Sequence, residues 1–152
     1  MTSPNIVEFQ GHHWLFYMGI NERHDCESPD KVKAIGAATI PLGRLVYLTT
    51  RSLEQEGYVE TVLLRLPARF TNLVVDVNTG ARGTVQPELR HPNGTPVQGF
   101  SRETAVLIRG ADGANIECGW TGGKELTSLA THHVRLRFYL FGGAKIFSFR
   151  AA

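Results

Sequence analysis

The sequence predicts an all-β protein, an antiparallel β-sandwich of jelly-roll type with an N-terminal β-hairpin-like extension. Glycines are spread along the 152 residues with short apolar runs between them, which is typical of many strands joined by tight turns. Helical patterns are weak, because neither "SLEQEG" nor "KELTSLA" sustains an apolar stripe of period 3.6. Seven or more short strands favour a sandwich or jelly roll over an open sheet.

The clearest predicted strand is "VRLRFYL", in which apolar and polar side chains alternate strictly. A Gly-Gly turn follows it, and Phe147 and Phe149 then return, so this stretch predicts a hairpin that closes the core. One face of the strand carries Val134, Leu136, Phe138 and Leu140, and the other carries Arg135, Arg137 and Tyr139.

Two further strands show the same alternation. In "NLVVDVN" the pattern places Asp76 on the solvent face, and in "TVQPELR" it places Gln86, Glu88 and Arg90 there. Pro87 cannot donate a hydrogen bond to a neighbouring strand, so the second strand is predicted at an edge or beside a bulge. The following "HPNGTPV" supplies a turn.

The composition shifts most sharply near "PLGRLVYLTTRSLEQEG". This shift divides the chain into an N-terminal β segment, residues 1–48, and a β-sandwich module, residues 49–152.

The bulk composition excludes several classes of protein. A formal net charge of +2 without a basic stripe argues against a nucleic-acid partner. The two cysteines lie far apart in the sequence and indicate no disulfide framework. The sequence shows neither a signal peptide nor an apolar run long enough to span a membrane, so we expect a cytoplasmic location and no membrane partner.

An ordered set of motifs in the second part carries a family resemblance. "GYVETVLLRL" provides a first strand, and "LVVDVNTGARGTVQPELRHPNGTPVQGFS" provides a strand pair that ends in a G-x-P-x-x-G-F-S segment, residues 94–101. A W-x-G-G-x-x-L-x-x-L run follows at residues 120–129, and then the V-R-L-R-F-x-L strand and "AKIFSF". This order resembles the C-terminal β-sandwich domain of predicted bacterial glycosidases related to invertases and levanases.

The resemblance implies a module that stands behind a catalytic five-bladed β-propeller. "HHWLFYMGINERHD" and "KAIGAATIPLGRLVYL" are similar to the last propeller strands and the linker that precede that sandwich. The catalytic propeller itself would carry an Asn-Asp-Pro-type nucleophile motif, which is absent from this sequence. The resemblance therefore implies no catalytic residues of the chain's own and no cofactor.

Two groups of polar residues contain the residue types of a catalytic or metal site, but both are better explained as solvent-exposed surface. Glu117 in "IECGW" has no marked carboxylate partner, although a retaining glycosidase needs two carboxylates about 5–5.5 Å apart. The loop "NERHDCESPDK" lacks regular zinc-ligand spacing, so no metal is expected there. If the propeller resemblance holds, its Arg23, His24 and Asp25 are candidate contacts to a substrate.

Carbohydrate binding needs aromatic platforms and polar side chains that bind hydroxyl groups. For Trp120 the alternative is packing under the edge of the sandwich. For Arg135 and Arg137 the alternatives are pairing with Glu88 or Glu103 across strands, or contact with a neighbouring propeller. The candidate residues are Trp14, Tyr58, Trp120, Arg135, Arg137 and Tyr139.

The resulting expectation is a non-catalytic accessory module that stabilises or assembles a catalytic propeller. The alternative is a stand-alone carbohydrate-binding module that recognises a sugar polymer through an aromatic and arginine patch. The strand "HHWLFYMG" would expose Trp14, Phe16 and Met18 on one face, which predicts self-association or refolding onto the sandwich.

Overall fold

The structure is a computed structural model that describes residues 5–23, 25, 29–122 and 125–152. The chain divides into two compact units, Met1–Val46 and Tyr47–Ala152, called unit 1 and unit 2 below. No helix among the described residues is long and apolar enough to cross a membrane.

Unit 1 is a three-stranded antiparallel sheet in the order β1-β2-β3. β2 and β3 pair along their whole length, with Trp14 opposite Thr39 and Met18 opposite Ile35. The extension therefore contains one strand more than the predicted hairpin. Its strands are β1 (Val7–Phe9), β2 (His12–Ile20) and β3 (Lys33–Pro41).

Unit 1 has almost no interior of its own. Among its described residues only His13 is buried, and its imidazole accepts a hydrogen bond from the Gly43 amide at 3.4 Å. The cross-strand pairs place an apolar group of side chains on one face, which we call the apolar face of unit 1. Its members are Val7, Phe9, Trp14, Phe16, Met18, Ile20, Ile35 and Ala37.

Unit 2 contains the remaining strands in two antiparallel sheets. The first sheet has the order β10-β7-β12-β4, and the second has the order β5-β11-β8-β9 with β6 also paired to β11. The strands are β4 (Leu48–Thr49), β5 (Gly57–Glu60), β6 (Leu64–Arg65), β7 (Leu73–Asn78), β8 (Thr84–Arg90), β9 (Ile108–Arg109), β10 (Asp112–Glu117), β11 (His133–Phe141) and β12 (Lys145–Ala151).

The core of unit 2 lies between the two sheets. Val75 and Val77 of β7 belong to the same buried cluster as Leu136 and Phe138 of β11. Each strand contributes alternate side chains to this cluster, because successive side chains of a strand point to opposite faces. The all-β sandwich predicted from the sequence is thus confirmed, whereas the jelly-roll order of its strands stays a prediction.

The predicted hairpin of β11 and β12 is wrong. β11 pairs with β5, β6 and β8, and β12 pairs with β7 and β4, so the Gly142–Gly143 turn carries the chain from one sheet to the other. A bulge between Ile146 and Ser148 shifts the alternation of β12. Phe149 therefore packs on Phe138, with ring centroids 5.8 Å apart, whereas Phe147 lies at the bulge.

Two acidic side chains predicted to face solvent are buried. Asp76 lies on β7, which has neighbouring strands on both sides and is buried on both of its faces. Glu88 lies on β8 and is 3% exposed. Pro87 is opposite Phe138 of β11, and on the other side of β8 the short strand β9 pairs only with Thr84 and Val85.

Candidate functional site: the outer face of the second sheet

The outward side chains of β5, β11 and β8 form three rows across the second sheet. Strand register fixes these rows, because residues directly opposite one another project from the same face. The first row is Tyr58, Tyr139 and Gln86, the second is Glu60, Arg137 and Glu88, and the third is Arg135 and Arg90. Together with Arg102, which reaches over the sheet from a short 3-10 turn, these residues form what we call the outer patch.

Glu88 is the most buried charged group of the outer patch. Its carboxylate accepts hydrogen bonds from the Arg90 guanidinium at 2.6 Å, from the Tyr139 hydroxyl at 3.2 Å and from the Arg102 amide at 3.2 Å. A buried carboxylate is tolerated only when it is paired and hydrogen-bonded in this way. Glu88 therefore fixes the positions of three neighbours at once.

Glu60 projects from β5 and contacts two arginines of the patch. Its carboxylate accepts a hydrogen bond from Arg137 Nε at 2.8 Å and lies 3.5 Å from Arg90 Nε. Burial alone would lower the pKa of Arg137, but its hydrogen bonds to Tyr139 and Glu60 and the charge of Glu60 together raise that pKa. The Arg137 guanidinium is therefore a fixed positive charge between two carboxylates.

Arg102 covers one face of the Tyr139 ring. Its guanidinium carbon lies 4.3 Å from the ring centroid, and its nitrogens donate to both carboxylate oxygens of Glu56, at 2.8 and 2.5 Å. Arg102 Nε also donates to Gln86 at 3.2 Å. This planar, bidentate arrangement holds the arginine in one orientation.

Tyr58 is the exposed aromatic group of the patch. Its side chain is 62% exposed, although Arg137 stacks on the ring at 4.2 Å and Tyr139 lies 6.2 Å away at a tilt of 55°. The ring is thus held on one side and open to solvent on the other. A flat apolar surface beside fixed hydrogen-bond donors is the arrangement that sugar rings require.

Four of the six predicted carbohydrate-binding residues lie together in the outer patch: Tyr58, Arg135, Arg137 and Tyr139. Trp120 is not one of them. It packs edge-on against Phe100 with ring centroids 5.5 Å apart, and its buried Nε1 has no hydrogen-bond partner among the described residues. This placement favours packing over a role as a sugar platform.

Trp120 also lines an open pocket of about 310 Å³ together with Cys118 and Leu126. Burial raises the pKa of the Cys118 thiol to about 12, so this thiol stays protonated and unreactive at neutral pH. Glu117 lies exposed on β10 opposite Val74, on the solvent side as the alternation predicts. Of these two residues only Cys118 lines the pocket, and its protonated thiol is not an activated nucleophile.

The remaining predicted residues lie in unit 1. Trp14 is on β2, where its indole donates to the Phe9 carbonyl at 3.1 Å and its ring stacks with Phe16. Arg23 and Asp25 are exposed in the connection between β2 and β3, and His24 lies outside the described residues. In the described part of the chain, no group of three or more His, Cys, Asp or Glu side chains is arranged to hold a metal ion.

The sequence did not identify Glu60, Arg90 or Arg102 as members of the site. The outward position of Arg90 on β8 was visible in the alternation of "TVQPELR", but its position opposite Arg135 depends on strand register. Arg102 lies on a 3-10 turn of three residues, where no periodic pattern marks its direction. The one sequence signal for these residues was that β8 and β11 each carry a polar face, and two polar faces could have been placed side by side.

The chemistry of the outer patch suits binding. Glu60 and Glu88 of the patch, and Glu56 beside it, are each engaged by an arginine, so these carboxylates fix side-chain positions. The patch presents the open Tyr58 ring and the partly exposed side chains of Arg135 and Arg102 to solvent. Searches against known proteins give no further identification, since no protein-family model, no curated protein and no solved structure matches this chain.

Proposed function

We propose that unit 2 is a non-catalytic module that recognises carbohydrate through its outer patch. The observation that carries this proposal is the Tyr58 ring, which is 62% exposed and supported from behind by the Arg137 guanidinium. Support from a fixed guanidinium reduces the entropy that the ring would lose on binding a sugar. Arg137 has N–H groups beyond those that contact Glu60 and Tyr139, and these supply donors for hydroxyl oxygens beside the platform.

Calorimetric titration of the whole chain with fructans, plant polysaccharides and acidic oligosaccharides tests this proposal. We expect a binding isotherm with at least one of them, and we expect Tyr58→Ala to weaken it about tenfold or more, as the loss of a central aromatic contact does. The matched control is Tyr47→Ala. Tyr47 is also exposed and has a cation beside its ring, Lys145 at 4.4 Å, but it lies next to β12 of the other sheet. Absence of binding to every saccharide, or equal losses in both variants, would refute the proposal.

A second candidate function, assembly, rests on the apolar face of unit 1. Five of its large side chains, from Met18 at 36% to Ile35 at 84%, are exposed. They present on the order of 500 Å², taking about 200 Å² for a complete large side chain. We propose that a second copy of this chain covers the face, because two such faces would together bury on the order of 1,000 Å², the lower limit for a specific interface.

The open edge of the same sheet also favours a second copy. β3 has no neighbour beyond β2 among the described residues, and after Lys33 its sequence "AIGAATIP" contains no charged side chain. Long uncharged edges are templates for pairing with another chain. In the resemblance to invertase-like enzymes, a catalytic propeller would occupy this face instead, and the oligomeric state of the isolated chain distinguishes the two.

A further inference from the structure

The outer patch continues into a group of basic side chains at one end of the sheet. β6 pairs with the start of β11 so that Arg65 is opposite His133, one row beyond Arg135 and Arg90. Val134 is buried and Leu64 packs against the core, so Arg65 and His133 project outward. We call Arg65, Arg90, Arg135 and His133 the basic end.

The carboxylates of the patch neutralise this end only in part. Glu88 is engaged by Arg90, and Glu60 is engaged most closely by Arg137, at 2.7 Å. Arg135 reaches Glu60 only at 3.9 Å, and its other contact is the Thr61 carbonyl at 3.5 Å. Arg65 is exposed and makes no polar contact with another described side chain. Two guanidinium groups therefore keep most of their donors for a ligand.

The placement of two like charges in one row supports a role in binding. Arg135 and Arg90 are directly opposite on neighbouring strands, and like charges in that position destabilise a sheet. Glu88 pairs with Arg90 at 2.6 Å, but among the described carboxylates Arg135 has only Glu60, at 3.9 Å, and Arg137 is the closest partner of that carboxylate. An anionic group bound between Arg135 and Arg65 would complete the neutralisation.

Tyr139, which lies beside the Tyr58 ring, and Arg135 of the basic end lie on the same face of β11. Tyr139 and Arg135 are four residues apart, which places them about 13 Å from each other along the strand. A ligand that stacks on Tyr58 and also reaches Arg135 is therefore longer than one sugar ring. Its acidic group must lie beyond the ring that stacks.

We infer that the ligand is an acidic oligosaccharide, a chain of sugar rings that carries carboxylate or sulfate groups, with one ring on Tyr58 and an acidic group between Arg135 and Arg65. This inference rests on the proposed function and extends it to a ligand class. Planar guanidinium groups bind both anions in bidentate fashion, so the shared feature is the anionic oxygen pair.

The test compares four ligands on the intact chain: an oligogalacturonate, its uncharged methyl ester, a sulfated dextran oligomer and a short single-stranded DNA. We expect the oligogalacturonate or the sulfated oligomer to bind at least about tenfold more tightly than the methyl ester, and this preference to shrink as sodium chloride rises from roughly 0.05 to 0.5 M. The acidic ligand that binds more tightly identifies the anion as carboxylate or sulfate.

Two variants assign the preference to the basic end. Arg65→Gln should reduce it several-fold while the methyl ester binds as before, and Arg135→Gln should reduce it at least as much. The matched control is Arg150→Gln, because Arg150 lies on the other sheet and donates to Asn115. Equal affinity for acidic and neutral oligosaccharides, with Tyr58→Ala still harmful, would overturn this inference and leave the proposed function standing. Binding of DNA as tight as that of the acidic oligosaccharide would also overturn it, and no binding of any saccharide would refute both.

Discussion

Replacement of Glu88 by alanine is expected to destabilise unit 2 by about 3 kcal/mol, because it leaves the charge of Arg90 without its closest partner. The same change removes the acceptor of the Tyr139 hydroxyl and of the Arg102 amide. We place the effect at the lower end of the usual 3–5 kcal/mol range for a broken buried pair, since Arg90 also lies 3.5 Å from Glu60. Urea unfolding followed by tryptophan fluorescence measures it.

Two further variants separate charge from hydrogen bonding at Glu88. Glu88→Gln keeps an acceptor for Tyr139 and loses the charge that pairs with Arg90. Its free energy of unfolding should therefore lie between those of the wild type and Glu88→Ala. The control is Glu117→Ala, which changes an exposed glutamate on β10. Its free energy of unfolding should stay within about 0.5 kcal/mol of that of the wild type. A stable Glu88→Ala protein, unfolding at the same urea concentration as the Glu117 control, would mean that the patch is not held as described.

Self-association through unit 1 is the second large expected effect. Light scattering of the intact chain should give a mass near twice that of one chain at micromolar concentration, because an uncovered apolar face of this size favours association. Ile35→Lys introduces a charge at the most exposed position of the face, opposite Met18. We expect this variant to be monomeric at the same concentration.

The control for Ile35→Lys is Val62→Lys, which introduces the same charge at a comparably exposed apolar residue, 74% exposed, in unit 2. It should keep the dimeric mass. A wild-type chain that remains monomeric over the whole concentration range would exclude a second copy as the occupant of the apolar face. A different occupant, such as the propeller domain that the resemblance implies, would then be required.

The sequence predicted the faces of the strands better than their partners. The alternation in "VRLRFYL" identified the buried face of β11 correctly, since Val134, Leu136, Phe138 and Leu140 are all buried. Alternation within one strand says nothing about which strand lies beside it. For this reason the Gly142–Gly143 turn was predicted as a hairpin, whereas it connects two different sheets.

The candidate site was predictable only in part for the same reason. Tyr58, Arg137 and Tyr139 were identifiable as exposed aromatic and basic side chains, but their contact depends on the register between β5 and β11. The burial of Glu88 depends on Arg102, which reaches it from a turn 14 residues further along the chain. Interactions of this kind are set by tertiary packing, and no local pattern records them.

The most direct test of carbohydrate recognition by the outer patch is to locate the bound carbohydrate on the molecule. Nuclear magnetic resonance shifts of the backbone amides and arginine side chains can be followed while an oligogalacturonate is added to the intact chain. We expect the changes to concentrate at Tyr58, Arg137 and Tyr139 and to be absent at Tyr47 and Phe147 near the other sheet. Changes confined to the pocket beside Trp120, or none with any saccharide, would contradict it.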